Sequence, residues 1–222
     1  MFSRKWEKTY KKGQQLDNWP WSDVVSLTTQ FLLNKKKIRR KYSVLELGCG
    51  GGPNIDFFIK SNFDYYGIEG SITAVRHLHK KYPKLKKRII CGDFTLNQPF
   101  KKKFDIILDR GSMTHNDTAA IKSGLRLARN SLKFGGFYFG VDWFSTDDSD
   151  FKIRGKKLDK FTLNNLTHGK LKNVGTIHFS NLRHLKELFK EWKIIQIDKK
   201  CKTQIKPLSY TRVVWDIIAK KK

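Results

Sequence analysis

Short apolar segments alternate with helix-like segments from residue 42 to residue 143, and this alternation restricts the possible folds more than any other feature of the sequence. The predicted strands are 42–47, 65–69, 88–91, 104–109 and 136–141. The predicted helices between them are 54–61, 72–82 and 119–132. Strands that are separated by helices are joined by right-handed crossovers, which gives a mainly parallel, doubly wound α/β sheet. Two later segments, 194–198 and 213–219, are predicted to bring the sheet to seven strands as an antiparallel hairpin.

Two regions fall outside this alternation. Residues 1–41 are predicted to form a helical lid, and residues 42–222 the main domain. The lid contains a basic helix over 4–17 ending near Gly13, a second helix over 24–33 capped by Ser22, and a solvated basic connector over 35–41. Residues 145–180 are polar and too long for a simple connection, which is typical of functional lids or mobile loops. We therefore predict an insertion after the fifth strand, followed by a helix with Ser180 as its cap.

The chain of 222 residues carries 46 basic and 20 acidic residues, a net charge of +26. Such a balance is compatible with nucleic acid, an anionic membrane surface or a phosphorylated substrate. The basic residues are mostly lysine, whereas arginine is the better bidentate ligand of phosphate and guanine. The charge excess is also the same in both halves of the chain, so there is no separate basic tail. A nucleic-acid partner therefore remains an open alternative.

The sequence predicts a cytoplasmic protein. No apolar run reaches the roughly 18 residues of a membrane span, and the N-terminus lacks the apolar core of a signal peptide. The cysteines, Cys49, Cys91 and Cys201, form no CxxC pair and have no histidine at metal-ligand spacing. They are predicted to be reduced thiols in the core, with no metal site.

The segment VLELGCGGG at 44–52 joins a predicted strand to a predicted helix. Glycines there let the backbone approach a ligand with its N–H groups facing it. The next strand ends at Glu69, where an acid accepts hydrogen bonds from ribose hydroxyls. The third strand leads into Asp93 and Phe94, an acid for an adenine amino group and a ring beside the base. The fourth strand ends at Asp109. Because these residues share the carboxyl edge of the sheet, they predict a nucleoside site.

Together these segments resemble the class I S-adenosylmethionine-dependent methyltransferases over residues 42–143. VLELGCGGG is similar to the first motif of that family, YYGIEGS to the ribose-binding second, CGDF to the third and FDIILDRGSMTH to the fourth. SLKFGGFYFG is similar to the turn into the fifth strand. The resemblance implies a Rossmann-like fold and S-adenosyl-L-methionine as the cofactor. It implies cofactor contacts from Glu46, Gly48, Gly50, Gly52, Glu69, Gly70, Asp93, Phe94, Asp109 and, in the lid, Trp21.

The segment DRGSMTH contains the residue that we predict to act on the acceptor. It is similar to small-molecule and sugar methyltransferases, in which a histidine at the place of His115 faces the acceptor. Methyl transfer depends largely on positioning, and a hydroxyl acceptor also needs a general base. His115 is therefore the predicted base, although a capping or loop role stays open. Tyr10 in the lid is the second catalytic candidate, with packing as its alternative. Arg110 would bind an acceptor phosphate or carboxylate, or form a structural salt bridge.

The predicted activity is methyl transfer to an oxygen or nitrogen of a small molecule, with a sugar or nucleotide-linked sugar as the favoured acceptor. The fourth motif has neither the N/D-P-P-Y sequence nor the cysteine typical of nucleobase methylation, while a Lys-Asp-Lys-Glu ribose tetrad stays open. An RNA methyltransferase is the alternative, and a silent binding protein the third possibility. The insertion is expected to cap the acceptor site. Its basic residues indicate an anionic acceptor if they face inward and a solvated face if they face outward: Arg154, Lys156, Lys157 and His168.

Overall fold

A computed structural model of the chain describes residues 4–16, 18–33 and 41–222. The helices are α1 (Arg4–Lys11), α2 (Ser22–Thr28), α3 (Ile55–Lys60), α4 (Ile72–Lys81), α5 (Thr118–Ser131) and α6 (Leu182–Leu188). The strands up to the insertion are β1 (Ser43–Leu47), β2 (Asp64–Glu69), β3 (Ile89–Cys91), β4 (Phe104–Arg110) and β5 (Leu132–Phe144). Those within and after it are β6 (Lys156–Lys157), β7 (Thr162–Asn164), β8 (Thr176–His178), β9 (Trp192–Gln204) and β10 (Tyr210–Lys221).

Seven strands form the central sheet in the order β3-β2-β1-β4-β5-β10-β9. The pairs among β1 to β5 are parallel, and β10 is antiparallel to both of its neighbours. Successive residues of β1 belong to opposite cores: Val44 packs with the residues of α2, α3 and α4, and Leu45 packs with those of α5 and α6. The predicted α/β class is therefore confirmed, with a mostly parallel seven-stranded sheet, helices on both faces and an antiparallel final hairpin.

The predicted elements are present, with differences at their ends. Helix α1 stops at Lys11, two residues before the predicted end near Gly13, and α2 continues as a π-helical turn over Thr29–Leu33. Both predicted caps are wrong. Trp21 precedes α2 without a side-chain capping bond, so Ser22 is already helical, and Asn181 rather than Ser180 caps α6 by accepting from the His184 N–H at 2.8 Å. Of the predicted connector over 35–41, residues 35–40 lie outside the described residues.

The insertion is a small folded unit rather than a plain loop. Its ends meet where Ser145 and Ser180 form an isolated parallel bridge. Between them lie a 3₁₀ turn and the three antiparallel strands β6, β7 and β8. Apolar side chains close a separate core, namely Leu166, Leu171, Ile177 and Phe179, with Phe144 and Phe151 packed against them. The predicted position of the insertion is thus observed, and it has a folded interior.

The cysteine prediction holds only in part. Cys49 is buried in the core beneath Gly67, whereas Cys91 and Cys201 are exposed, so the prediction of core placement is wrong for these two. Cys91 ends the short edge strand β3, and Cys201 lies on the opposite edge strand, β9. Among the described residues, no helix is long and apolar enough to cross a membrane.

Candidate cofactor and acceptor site

A cavity of about 480 Å³ opens at the carboxyl edge of β1, β2 and β4. This volume lies within the range of about 300–1,000 Å³ that is usual for small-molecule sites. Ten of the twelve predicted site residues line it: Tyr10, Trp21, Glu46, Gly48, Gly50, Glu69, Gly70, Asp93, Phe94 and His115. Gly52 and Asp109 do not. Gly52 instead faces Leu78 and Ile55, where a side chain would overlap the core.

The glycine loop between β1 and α3 is covered by the lid. A Cβ atom on Gly50, which has φ +54°, would lie 2.7 Å from the Tyr10 hydroxyl oxygen. A Cβ atom on Gly51 would lie 2.8 Å from the Cα atom of Leu16. Both distances are too short for a side chain. The glycines therefore let the N-terminal segment approach the loop, which is a reason for their presence that sequence analysis did not supply.

Glu69 at the end of β2 holds two backbone segments with its carboxylate. One oxygen accepts from the Gly50 N–H and the other from the Ser71 N–H, each at 2.8 Å. The side chain lines the cavity and is buried, and burial raises its pKa. A carboxylate has about four lone-pair sites, so each oxygen keeps the capacity to accept from one further donor, such as a ribose hydroxyl.

Glu46 is connected to the lid through one amide side chain. Its carboxylate accepts from Asn54 Nδ2 at 2.7 Å and from the Tyr65 hydroxyl at 2.5 Å. The Oδ1 atom of Asn54 accepts from the backbone N–H of Trp21 at 3.1 Å. Burial raises the pKa of Glu46 to about 7. The lid, the glycine loop and the acid of β1 therefore form one hydrogen-bonded unit, in which Asn54 is a residue that sequence analysis missed.

Asp93 and Phe94 line the cavity close to Gly48 of the glycine loop. The Asp93 carboxylate accepts from the Thr95 N–H at 2.9 Å and from the Thr95 hydroxyl at 2.6 Å, which fixes its orientation. The Phe94 ring packs close to Gly48, since a Cβ atom there would lie 3.6 Å from it. An acid and an aromatic face therefore line the same wall of the cavity.

Asp109 is fully buried below the loop that follows β4. Its carboxylate accepts from the backbone N–H groups of Ser112 and Met113, both at 2.9 Å. It also accepts from Tyr138 at 3.0 Å and from the Trp143 indole at 2.7 Å. Burial raises its pKa. These contacts hold the start of the loop that leads to His115.

His115 ends a 3₁₀ turn over Met113–His115, between the lid and the insertion. Its Nδ1 atom lies 3.0 Å from the carbonyl oxygen of Thr176 in β8, so Nδ1 carries the proton and donates. Trp6 and Phe144 meet the imidazole edge to face, with ring centroids 5.0 and 6.0 Å away. Burial lowers the pKa of His115 to about 4. The neutral ring therefore keeps an unprotonated Nε2 that can accept a proton.

Arg110 and Asp142 form an ion pair at the cavity wall, with 2.6 Å between Arg110 Nη2 and the carboxylate. The guanidinium lies 3.6 Å from the centroid of a Trp21 ring. Of the two interpretations of Arg110, the structural salt bridge is therefore present. Asp142 was missed by sequence analysis. It has φ +58°, a strained value for a residue other than glycine, and no sequence pattern indicates it.

The basic residues that sequence analysis singled out in the insertion are exposed and do not line the cavity: Arg154, Lys156, Lys157 and His168. They form a solvated face, which was the second of the two alternatives. Besides Arg110, two other cations of the described residues line the cavity. These are Lys170 within the insertion and Arg212 on β10.

Comparison with known proteins agrees with this geometry. Residues 44–136 match the model of a family described as a methyltransferase domain. No curated protein matches the sequence. Among solved structures, the chain is similar to an S-adenosylmethionine-dependent methyltransferase from Methanosarcina mazei (TM-score 0.65, 13% identity, 91% of this chain and 98% of that one).

Two further solved structures are similar at comparable levels. One is the 1,6-didemethyltoxoflavin-N1-methyltransferase of Burkholderia thailandensis (TM-score 0.64, 15% identity, 97% of this chain and 84% of that one). The other is CalS10, an amino pentose methyltransferase of Micromonospora echinaspora (TM-score 0.60, 12% identity, 100% and 98%). At these identities the likeness establishes a shared fold.

Proposed function

We propose that this chain, whose residues 44–136 match a methyltransferase domain, is a class I S-adenosylmethionine-dependent methyltransferase that transfers the methyl group to an oxygen or nitrogen of a small molecule. The favoured acceptor class is a sugar or a nucleotide-linked sugar. The observation that carries the proposal is the position of His115. Its ring lines the same cavity as the glycine loop and Glu69, and its tautomer leaves Nε2 as the acceptor of a proton.

The residues present fit S-adenosylmethionine. Glu69 offers two carboxylate oxygens to the ribose hydroxyls, and Asp93 offers an acceptor to the adenine amino group, with Phe94 beside the ring. The glycine loop, Glu46 and Trp21 would face the amino-acid end. When bound, the cofactor supplies an electrophilic methyl group on a sulfonium. Gly52 and Asp109 would act on cofactor binding indirectly, through the loops that they hold.

The chain's own residues perform three tasks in this proposal. His115 accepts the proton of an acceptor hydroxyl or ammonium at Nε2, because Nδ1 is occupied by Thr176. The lid excludes water: Tyr10 covers the glycine loop and Trp6 packs on the His115 ring. The hydroxyl of Tyr10 lies against the glycine loop, so we do not assign Tyr10 the role of a base. We therefore assign it to closure of the site.

A small acceptor is favoured by the enclosure of the cavity. Helix α1 lies on one side, and Leu171 and Val174 of the insertion lie on another. The two are joined by the Lys5 ammonium, which donates to Asn165 Oδ1 at 2.6 Å. The similar structures from Burkholderia and Micromonospora are named for 1,6-didemethyltoxoflavin and an amino pentose, which are both small molecules. These likenesses support the choice of acceptor size.

The decisive experiment follows labelled methyl groups from S-adenosylmethionine into two pools, a small-metabolite extract and total RNA. A protein with this charge binds RNA loosely at low salt, so binding alone decides nothing. Transfer is therefore measured at about 0.15 M salt, where the screening length is about 8 Å and surface attraction is weak. We expect label in the metabolite pool and none in RNA, and we expect Glu69→Ala to reduce the labelling at limiting S-adenosylmethionine. Stoichiometric labelling of one RNA position by the wild type would instead establish the RNA methyltransferase alternative.

A further inference from the structure

Two cationic side chains flank one tyrosine on the acceptor side of the cavity. The Lys170 ammonium lies 4.5 Å from the ring centroid of Tyr210. The Arg212 guanidinium carbon lies 5.4 Å from the same ring and 5.2 Å from the Phe144 ring. Aromatic faces attract cations and fix their positions. Both side chains line the cavity, so two positive charges are held on one wall.

The hydrogen-bonding capacity of Arg212 is only partly used. Among the described residues it pairs with the carboxylate of Asp148, with 3.5 Å between Arg212 Nε and Asp148 Oδ2. That carboxylate already accepts from the Asp150 N–H at 2.9 Å, the Val213 N–H at 2.9 Å and the Tyr210 hydroxyl at 3.0 Å. Among the described residues, the buried Nη1 atom of Arg212 has no hydrogen-bond partner. A guanidinium has five N–H donors, and one long contact leaves most of them available.

Lys170 adds a second charge, and within the part of the chain that the structure describes no carboxylate forms an ion pair with it. Its ammonium donates to Gln204 Oε1, which is a neutral amide oxygen. The side chain is exposed at the rim of the cavity, whereas the side chain of Arg212 is 26% exposed. The two cations therefore differ in depth: Arg212 is fixed within the wall, and Lys170 stands at its edge.

Arg212 and the proposed base contact the same aromatic ring. The centroid of Phe144 lies 6.0 Å from that of the His115 ring and 5.2 Å from the Arg212 guanidinium carbon, so His115 and Arg212 are no farther apart than these two distances together. A compact acceptor with its nucleophilic atom at His115 Nε2 can therefore place an anionic group at Arg212. A planar guanidinium binds a carboxylate or phosphate through two parallel hydrogen bonds.

We propose that Arg212, assisted by Lys170, binds an anionic group of the acceptor, a carboxylate or a phosphate, while the atom that receives the methyl group lies at His115, beside the same Phe144 ring. This inference rests on the proposed function and specifies its substrate class. The acceptor is a compact anion rather than a neutral sugar. Arg212 determines specificity, while His115 and the cofactor-binding residues perform the transfer.

Matched probes test the anionic group directly. Binding to the protein loaded with S-adenosylhomocysteine is measured for 4-hydroxybenzoate against 4-hydroxybenzamide, and for glucose 6-phosphate against glucose. The first pair reports on a carboxylate and the second on a phosphate. We expect the anionic member of at least one pair to bind about tenfold or more tightly than its neutral partner, the scale of a charge-assisted hydrogen bond. Equal binding within both pairs, including no measurable binding, overturns the inference.

Three variants assign the preference to this wall. Arg212→Gln should abolish the difference within the pair, and Lys170→Gln should reduce it about threefold while leaving the Arg212–Asp148 contact in place. Arg212→Gln leaves Asp148 buried without its cation and can fail to fold for that reason. Lys170→Gln is informative in that case as well. Arg183→Gln is the matched control, since Arg183 is exposed on α6 and outside the cavity. A preference that survives both variants overturns the inference.

An unbiased readout separates this inference from the proposed function. A metabolite extract is divided by anion exchange, and each fraction is offered as methyl acceptor. We expect the accepting activity in the retained, anionic fraction. Acceptance only in the unretained fraction would overturn the anionic group and leave the proposed small-molecule activity intact. Acceptance in neither fraction would remove the proposed function as well.

Discussion

Glu7 in helix α1 accepts hydrogen bonds from the side chains of Ser71 and Thr73, and Ser71 stands two residues after Glu69. The N-terminal lid is therefore attached at the very segment that we propose to bind the cofactor ribose. The Ser71 N–H donates to Glu69 and its hydroxyl to Glu7, so one residue connects the two acids. Closure of the lid and the geometry of the ribose site are coupled through this serine.

The first prediction concerns this attachment. Glu7→Ala removes the acceptor, so we expect faster amide exchange in Arg4–Lys11 and a loss of S-adenosylmethionine affinity of about 3- to 10-fold, the scale of one partly exposed hydrogen-bonding carboxylate. Glu191→Ala is the control, since Glu191 is exposed before β9 and outside the cavity. Unchanged exchange in α1 would show that the lid is held by its aromatic contacts alone.

Lid attachment should also depend on pH. Hydrogen bonds from Ser71 and Thr73 lower the pKa of Glu7 below its ordinary value of 4.5. A carboxyl with a lowered pKa stabilises the folded contact above the ordinary value, and that contribution is lost as pH falls through the lowered one. The protection factors of the α1 amides, which correct for the intrinsic pH dependence of exchange, should therefore fall below about pH 4.5 in the wild type, and the Glu7→Ala variant should lack this step.

The second prediction concerns Glu69. Glu69→Ala should weaken S-adenosylmethionine binding by about 1–3 kcal/mol, because the ribose hydroxyls lose their acceptors. Glu69→Gln should bind with intermediate strength. In the wild type the Gly50 and Ser71 N–H groups each donate to one carboxylate oxygen, and the amide of the variant keeps one of these two acceptors. Calorimetry measures the affinities, and a melting curve confirms that each variant is folded. Unchanged affinity in a folded variant would exclude Glu69 from the ribose site.

Much of this architecture can be predicted from the sequence, because it depends on local periodicity. Strands β1 to β5 are buried apolar runs separated by amphipathic helices, and the glycine loop lies where a strand meets a helix. The cap of α6 is less predictable, since Ser180 and Asn181 are equally suited to capping. The bridge that Ser180 forms with Ser145 takes it out of the helix, and this contact is long-range.

The site residues also fall into those that local sequence predicts and those that depend on long-range contacts. The acids at strand ends lie where the pattern predicts, since a parallel sheet brings them to one edge. Asp142 and Arg212 could not be identified, because they reach the cavity from β5 and β10 only after the antiparallel strand is placed. Asp109 carries the same strand-end signal as Glu69, yet the indole of Trp143 and the hydroxyl of Tyr138 draw its carboxylate into the core. Sequence position alone does not distinguish these two outcomes.

The third prediction concerns His115 as the base. His115→Asn should lower kcat by about 10²-fold or more with little change in S-adenosylmethionine affinity, because the ring acts on the acceptor. His77→Asn is the control, since His77 lies on α4 and outside the cavity. A loss of less than about threefold with the true acceptor would return His115 to a structural role as the partner of Thr176.

The pH profile provides a second measure of the same residue. Burial lowers the pKa of His115 to about 4, so its Nε2 is unprotonated throughout the neutral range. We therefore expect no decline of kcat between pH 7 and pH 5 from this group, and a decline only as pH approaches 4. An acidic limb centred at the ordinary histidine pKa of 6.5, absent from His115→Asn, would show that the ring is solvated in the working enzyme.

The last prediction uses the attachment of the insertion. His178 ends β8, and its Nε2 atom lies 3.2 Å from His184 Nε2 in α6 and 3.2 Å from the Ser180 hydroxyl. Burial first, and the neighbouring His184 second, lower the pKa of His178 to about 3. The unfolded chain, with an ordinary pKa of 6.5, binds this proton more readily. The histidine's contribution to stability is therefore complete above pH 6.5 and is lost as pH falls from there.

Other groups titrate in the same range, so the useful quantity is the difference in the free energy of unfolding between the wild type and the variant. Burial raises the pKa of Glu46 to about 7, and this acts in the opposite direction between its ordinary value and pH 7. In urea denaturation, His178→Asn should be less stable than the wild type at pH 7.5. That deficit should shrink by about 1 kcal/mol for each pH unit below 6.5, because the variant no longer has to exclude a proton at this position. A deficit that stays constant from pH 7.5 to pH 5 would mean that the His178–His184 contact accommodates the charge, and that acid does not loosen the insertion through this pair.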